Sequence, residues 1–136
     1  MKKQQLRQLP RLFPPYPDRK EFSLYASMTP AKEVGGDLYD FFIEDEKLYF
    51  IIGDVSGKGI PASLVMAVTC RLFRLSALHH DKPEEIIASL NDSLADGNEL
   101  AMFCTAFLGV LDLTTGCLRY CNAGHNAPLV IGADGR

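Results

Sequence analysis

The sequence has no basic surplus, no long uncharged run and no paired cysteine motif, and each shortage removes a class of function. The longest nearly uncharged stretch, Ile60 to Cys70, gives way to Arg71 and Arg74, too short to cross a bilayer. The start, Met1-Lys2-Lys3-Gln4-Gln5, has no signal-peptide core, so a cytoplasmic protein without a membrane partner is expected. Cys70, Cys104, Cys117 and Cys121 form no Cys-x-x-Cys pair and have no histidine at zinc spacing, which predicts buried free thiols. A cysteine phosphatase needs an arginine closing the loop after its nucleophile. Ser76, Val110, Ala123 and Ala127 stand at those positions and exclude that chemistry.

What is present is material for one core: 47% hydrophobic and 23% charged residues in 136. The net charge of −3 is unevenly placed. Residues 1–21 carry six Lys/Arg against two acids, and residues 22–136 carry eight against fifteen. An acidic body disfavours a nucleic-acid partner and suits a protein that gathers carboxylates around cations.

Residues 1–21 read as a linker from an upstream regulatory domain, because Pro14-Pro15-Tyr16-Pro17 forbids regular structure. Residues 22–136 read as one α+β domain. Strands are expected over Phe22–Met28, Leu38–Ile43, Lys47–Gly53, Met102–Leu113, Cys117–Asn122 and Pro128–Ile131. Pro61 marks the start of a long helix with Leu64, Val68, Leu72 and Leu75 as its buried stripe. A second helix opens at Pro83-Glu84-Glu85, buries Ile86, Ile87, Leu90 and Leu94, and stops at Gly97. Asp134-Gly135 after an apolar run signals a hairpin whose returning strand lies outside the sequence, and the unpaired strand near Leu129 to Ile131 predicts self-association into a homodimer.

If the chain reverses about Asp45-Glu46, positions summing to 91 oppose each other, and Asp37 meets Asp54 at the open end. Opposed carboxylates roughly 5 Å apart repel by about 3 kcal/mol at an effective dielectric near 20. The apolar flanks predict a buried rim with little water to screen them. A shared proton or a divalent cation answers that repulsion, and the neighbours favour the cation. Gly35-Gly36 lets backbone approach closely, and the turn at Asp54-Val55-Ser56-Gly57 offers main-chain carbonyls. An all-oxygen set points to Mg²⁺ or Mn²⁺ rather than zinc.

Gly53 to Gly59 does not make a phosphate-cradling loop: three residues stand before Gly57-Lys58 where four are needed, and Gly59 follows the lysine where Ser or Thr belongs. Lys58 then reads as a solvated loop charge. His79-His80 suit the negative end of the long helix. His125 is either a proton donor beside a metal site or a turn histidine bonded to local backbone. Asp40 faces away from Asp37 in this register, and Asp112 precedes a turn; neither is assigned a catalytic role.

Four segments in order, Pro30 to Asp40 (PAKEVGGDLYD), Gly53 to Ala62 (GDVSGKGIPA), Thr105 to Gly109 (TAFLG) and Asn122 to Pro128 (NAGHNAP), resemble the motifs of the bacterial sporulation stage II protein E group. That group belongs to the metal-dependent, protein phosphatase 2C-like (PPM) Ser/Thr phosphatases, and the likeness runs from about Leu9 to the end of the chain. The resemblance implies an α-β-β-α sandwich with two Mn²⁺ or Mg²⁺ ions at one edge. It implies that Asp54 touches both ions, that Val55 offers a backbone carbonyl, and that Asp37 binds directly or through water. It further implies a phosphoserine or phosphothreonine substrate on an anti-sigma-factor antagonist and control by an upstream sensor or response-regulator domain. Two further metal-binding aspartates of the group have no counterpart here, so the reading is of a C-terminally truncated domain with little activity of its own. The competing readings are a non-catalytic binding module on the same sheet and, behind it, a nucleotide binder built on Gly53 to Gly59.

Overall fold

The computed structural model describes residues 17–29, 35–98 and 101–135. Most of the 1–21 segment read as a linker lies outside the described residues. A β-hairpin comes first, β1 (Asp37–Glu44) and β2 (Lys47–Val55). Helices α1 (Ile60–Ala77) and α2 (Pro83–Ala95) follow, then β3 (Cys104–Asp112) and β4 (Leu118–Ala123). The four strands form one antiparallel sheet in the order β1-β2-β3-β4, and the fold class is α+β.

The hairpin turns on Asp45 and Glu46, both with left-handed backbone (φ 47° and 55°). Positive φ at both central residues is what a type I′ turn requires to match the twist of its strands. Glu46 is held by Arg19, whose guanidinium also pairs with Glu21.

Both helices pack on one face of the sheet. Leu38 of β1, Tyr49, Ile51 and Val55 of β2, and Ala106, Leu108 and Val110 of β3 form the core with Ala62, Phe73 and Ala77 of α1 and Ile86 and Leu90 of α2. Side chains alternate along a strand, so Asp37, Tyr39, Phe41, Phe50, Ile52, Asp54, Thr105 and Phe107 fall on the opposite face.

One ion pair fixes α1 to β1. Asp40, 6% exposed, accepts from Arg74 Nε (2.7 Å) and Nη2 (2.6 Å) and from the Phe41 amide (2.8 Å). The guanidinium also donates to the Phe41 carbonyl and lies 5.0 Å from the centroid of the Phe42 ring. Asp40 is thus a structural acid on the helix side of the sheet. Asp112 is structural too: its Oδ1 accepts from the Thr114 and Thr115 amides and shapes the turn into β4.

The stripe expected on α1 is corrected. Leu64, Val68 and Leu75 are exposed, and the buried residues of the helix are Ala62, Thr69, Phe73, Ser76 and Ala77. Packing is close enough that Ser76 Oγ reaches Ser89 Oγ on α2 at 2.9 Å, which favours small side chains at the contact. Leu64 and Val68 instead line an open apolar cavity of about 720 Å³ between the two helices and Met102-Phe103. At 18 residues and mean hydropathy 1.3, α1 is long and apolar enough to cross a membrane by length and composition, so the short-stretch argument does not exclude a span. Phe73 buried on the sheet and Arg74 paired to Asp40 make it a packing helix instead.

Two expected strands are absent among the described residues. Residues 22–28 alternate half-buried and exposed side chains but take no strand conformation, and Leu129, Val130 and Ile131, exposed at 89%, 85% and 72%, lie outside any strand. Free thiols are found at all four cysteines. The burial expected of them is corrected: Cys70, Cys104 and Cys121 are half-buried, and Cys117 is exposed because the turn before β4 carries it to the surface.

Candidate functional site

The β1-β2 register pairs Asp37 with Asp54, Leu38 with Gly53 and Tyr39 with Ile52. Beyond the last pair, the Val55 amide donates to the Gly36 carbonyl at 3.1 Å. Hydrogen-bonded and non-hydrogen-bonded pairs alternate along an antiparallel ladder, so Asp37-Asp54 is a non-hydrogen-bonded pair, the closer kind, with Cα atoms about 4.5 Å apart. Both carboxylates are exposed on the face opposite the helices. The buried rim expected from the apolar flanks is therefore corrected: water reaches the pair, because the strand ends here and nothing among the described residues lies over it.

Gly36 explains how the Val55 main chain joins these acids. A Cβ on Gly36 would stand 2.6 Å from the Val55 carbonyl oxygen and 2.9 Å from its Cβ. Only glycine admits that approach. Past Val55 the chain is tied down by the Ser56 amide donating to the Phe103 carbonyl (2.7 Å) and the Phe103 amide donating to Ser56 Oγ (2.9 Å). Gly57 and Gly59, at φ 87° and 78°, then turn it into α1. Lys58 on this loop is exposed.

The sheet extends the row of polar groups beyond the two acids. Thr105 on β3 is the register partner of Asp54, and its Oγ1 lies 3.4 Å from the Asp54 carbonyl and 3.0 Å from His125 Nδ1. His125 is itself clamped by Asn122, whose Oδ1 accepts from the His125 amide (2.8 Å) while its Nδ2 donates to the His125 carbonyl (3.0 Å). The structure thus shows a turn histidine bonded to local backbone, with its ring carried to the Asp54 row. Thr105 was not legible as a site residue, since two helices separate β2 from β3 and no turn fixes their register in advance. His79 and His80 sit past the α1 end, their amides bonded to the Ser76 carbonyl, away from this row.

Among the described residues no group of three or more His, Cys, Asp or Glu side chains converges. What the register sets side by side is two aspartates, next in the chain to the Gly36–Val55 main-chain contact. That set of hard oxygens fits a Mg²⁺ or Mn²⁺ ion completed by water and does not fit zinc. The nearby thiol of Cys104 is pushed up to about 11 by burial and then by the Asp54 charge, which keeps it protonated and out of a ligand role at neutral pH.

Comparison with known proteins gives this arrangement a context. The chain is 31% identical over 147 residues to protein IcfG of Synechocystis sp., covering 88% of this chain and 23% of that protein. It is 30% identical over 111 residues to the phosphoserine phosphatase RsbU of Bacillus subtilis (80% of this chain, 32% of that one). It is 31% identical over 100 residues to the phosphoserine phosphatase RsbP of the same organism (70% and 25%). The chain thus spans between 23% and 32% of the length of these relatives. Among solved structures, the RsbU and RsbW domains of Rv1364c from Mycobacterium tuberculosis match with TM-score 0.61 at 29% identity, over 74% of this chain and 27% of that one. The SiaA-PP2C domain of Pseudomonas aeruginosa matches with TM-score 0.51 at 20% identity, over 59% of this chain and 33% of that one, a likeness of fold. A family model for stage II sporulation protein E (SpoIIE) matches residues 44–136. More than half of the chain lies within that model, the hairpin that opposes Asp37 and Asp54 leads into it, and the chain belongs to the SpoIIE family of PPM-like phosphatase domains.

Proposed function

We propose that this chain supplies part of a metal-dependent protein Ser/Thr phosphatase, and that Asp37, Asp54 and the Val55 carbonyl are its contribution to a Mn²⁺ or Mg²⁺ centre. The observation that carries the reading is the opposition of Asp37 and Asp54 in a non-hydrogen-bonded pair, with Gly36 admitting the Val55 main chain beside them. When bound, divalent cations supply Lewis acidity that activates water and offsets the charge developing on the phosphoryl oxygens. The chain's own part is positional. Asp54 and Asp37 hold the metal and orient its water shell, while Thr105 and the Ser56-Phe103 bonds keep the Asp54 strand end in place.

The similarity to RsbU and RsbP supports a phosphoserine or phosphothreonine substrate, on a protein of the anti-sigma-factor antagonist kind, and a cytoplasmic location. Regulation by an upstream sensor or response-regulator domain, acting through residues 1–21, belongs to the same proposal and rests on the resemblance of the motifs alone. Two carboxylates and one or two carbonyls are few ligands for a pair of ions. The 136 residues alone are therefore expected to bind metal weakly and hydrolyse little.

The test is phosphate release from a phosphoserine-bearing regulatory protein by the full-length protein. Mn²⁺-dependent release that Asp54→Asn abolishes supports the reading, and near-parental rates in Asp54→Asn overturn it. A partner bound with equal affinity by parent and variant, without hydrolysis, favours the binding module.

A further inference from the structure

His125 is held more firmly than a turn histidine needs to be. Asn122 grips its amide and carbonyl from one side chain. Gly124, at φ 73°, bends the chain so that it bridges to Ala106 on β3, and Thr105 takes the ring nitrogen Nδ1. Three separate constraints thus place one half-buried imidazole at the end of a row that runs Asp37, Asp54, Thr105, His125 across the strand ends.

The contacts of Thr105 tie the tautomer of the ring to where its hydroxyl hydrogen goes. A threonine hydroxyl has one hydrogen to give. Given to the Asp54 carbonyl 3.4 Å away, it makes Thr105 Oγ1 an acceptor toward the imidazole and puts the ring hydrogen on Nδ1; given to Nδ1 3.0 Å away, it puts the ring hydrogen on Nε2. In the first arrangement Nε2 is the ring nitrogen left free to face a substrate. The partner carbonyl belongs to the aspartate proposed to hold metal, so the imidazole is registered to the metal site through one side chain.

We propose that His125 donates a proton from Nε2 to the oxygen leaving phosphorus, and that Thr105 is the positioning residue that fixes its tautomer and aim; this rests on the phosphatase reading above. As a water oxygen bonds to phosphorus, the phosphorus bond to the serine oxygen breaks. The electron pair stays on that oxygen, which takes the Nε2 proton. The ring thus goes from imidazolium to neutral imidazole, and the proton released by the attacking water returns to Nε2 by way of solvent and restores the imidazolium. Thr105 holds Nδ1–H throughout.

Two measurements test this. The first needs neither metal nor substrate: nitrogen-15 resonances of the imidazole in this chain report the tautomer of the neutral ring. The Nδ1–H form is expected, kept in Thr105→Ser and lost in Thr105→Val. An Nε2–H form in the parent, or no change in Thr105→Val, overturns the positioning role. The second compares leaving groups in the full-length protein. His125→Ala should cost kcat on a phosphoserine peptide about 100-fold, in the range for a lost proton donor, and cost p-nitrophenyl phosphate under about threefold, because that leaving oxygen needs no proton. Equal losses on both substrates overturn the proton-donor role and leave the phosphatase reading standing. A parent that hydrolyses neither substrate overturns both.

Discussion

Replacing Asp54 by asparagine should stabilise the metal-free chain, which is unusual for a residue assigned to a functional site. The β1-β2 register sets Asp54 directly against Asp37 in the closer kind of antiparallel pair. Two unit charges about 4 Å apart repel by about 1 kcal/mol at the dielectric of water and about 4 kcal/mol at an effective dielectric of 20. Both carboxylates are exposed, so the lower figure applies. Urea unfolding in EDTA at low salt should therefore find Asp54→Asn and Asp37→Asn each more stable than the parent by about 0.5–1 kcal/mol, the scale of that repulsion. The double variant should gain no more than either single one, since removing one charge already ends the repulsion. High salt should shrink the gain. Added Mn²⁺ should reverse the order, because a ligand at about 100 times its dissociation constant stabilises the state it binds by about 2.7 kcal/mol, and only the parent keeps both carboxylates. If Asp54→Asn is less stable than the parent in EDTA, or gains as much from Mn²⁺, the reasoning is refuted.

Other consequences follow from the same packing. Gly36→Ala should cost about 1–3 kcal/mol, the usual range for forced overpacking, because its Cβ would press on the Val55 carbonyl 2.6 Å away. It should also weaken the Mn²⁺ response, and unchanged unfolding midpoints with and without Mn²⁺ would contradict this. Arg74→Met strands the buried Asp40 carboxylate. With the arginine side chain 37% exposed, the loss should be about 2–3 kcal/mol rather than the larger figure for a fully buried pair, and Asp40→Asn in the same chain should recover part of it. An aromatic disulfide reagent at mildly alkaline pH should label exposed Cys117 first. Cys70 and Cys104 should lag, their thiols pushed up to about 11 chiefly by burial, and equal rates at all three would contradict that assignment.

Local rules carried the hairpin and the helices. Two β-type runs on either side of the acidic corner at Asp45-Glu46 imply a register that the structure reproduces pair for pair, although neither turn residue is glycine. Asp45 and Glu46 adopt left-handed backbone because the strand pairing on either side determines the turn. Pro61 and Pro83 both stand in the first turn of their helices, and Gly97 takes the left-handed backbone that lets the chain leave α2.

What stayed hidden depends on contacts between distant segments. The buried face of α1 follows small residues packed on α2 and Phe73 packed on the sheet, which the periodicity of leucine and valine alone does not reveal. Asp40 and Arg74, 34 positions apart, meet only once α1 lies across β1. Thr105 and His125 join the site because β3 pairs with β2 and the Asn122 to His125 turn folds back on it, and neither event leaves a spacing signal. The likeness of the motif from Asn122 to Pro128 marked that segment without saying what its histidine touches.

The central claim, that Asp37, Asp54 and the Val55 carbonyl hold a divalent cation, is tested most directly by adding Mn²⁺ in small steps while recording backbone amide resonances, since the paramagnetic ion broadens the nuclei nearest to it. Broadening that begins at Gly36 to Asp37 and Asp54 to Ser56, and that Asp54→Asn abolishes, is the predicted result. Broadening centred instead on another acidic stretch, such as Glu44 to Glu46 or Asp92 to Asp96, with the Asp37 and Asp54 signals untouched, would contradict it.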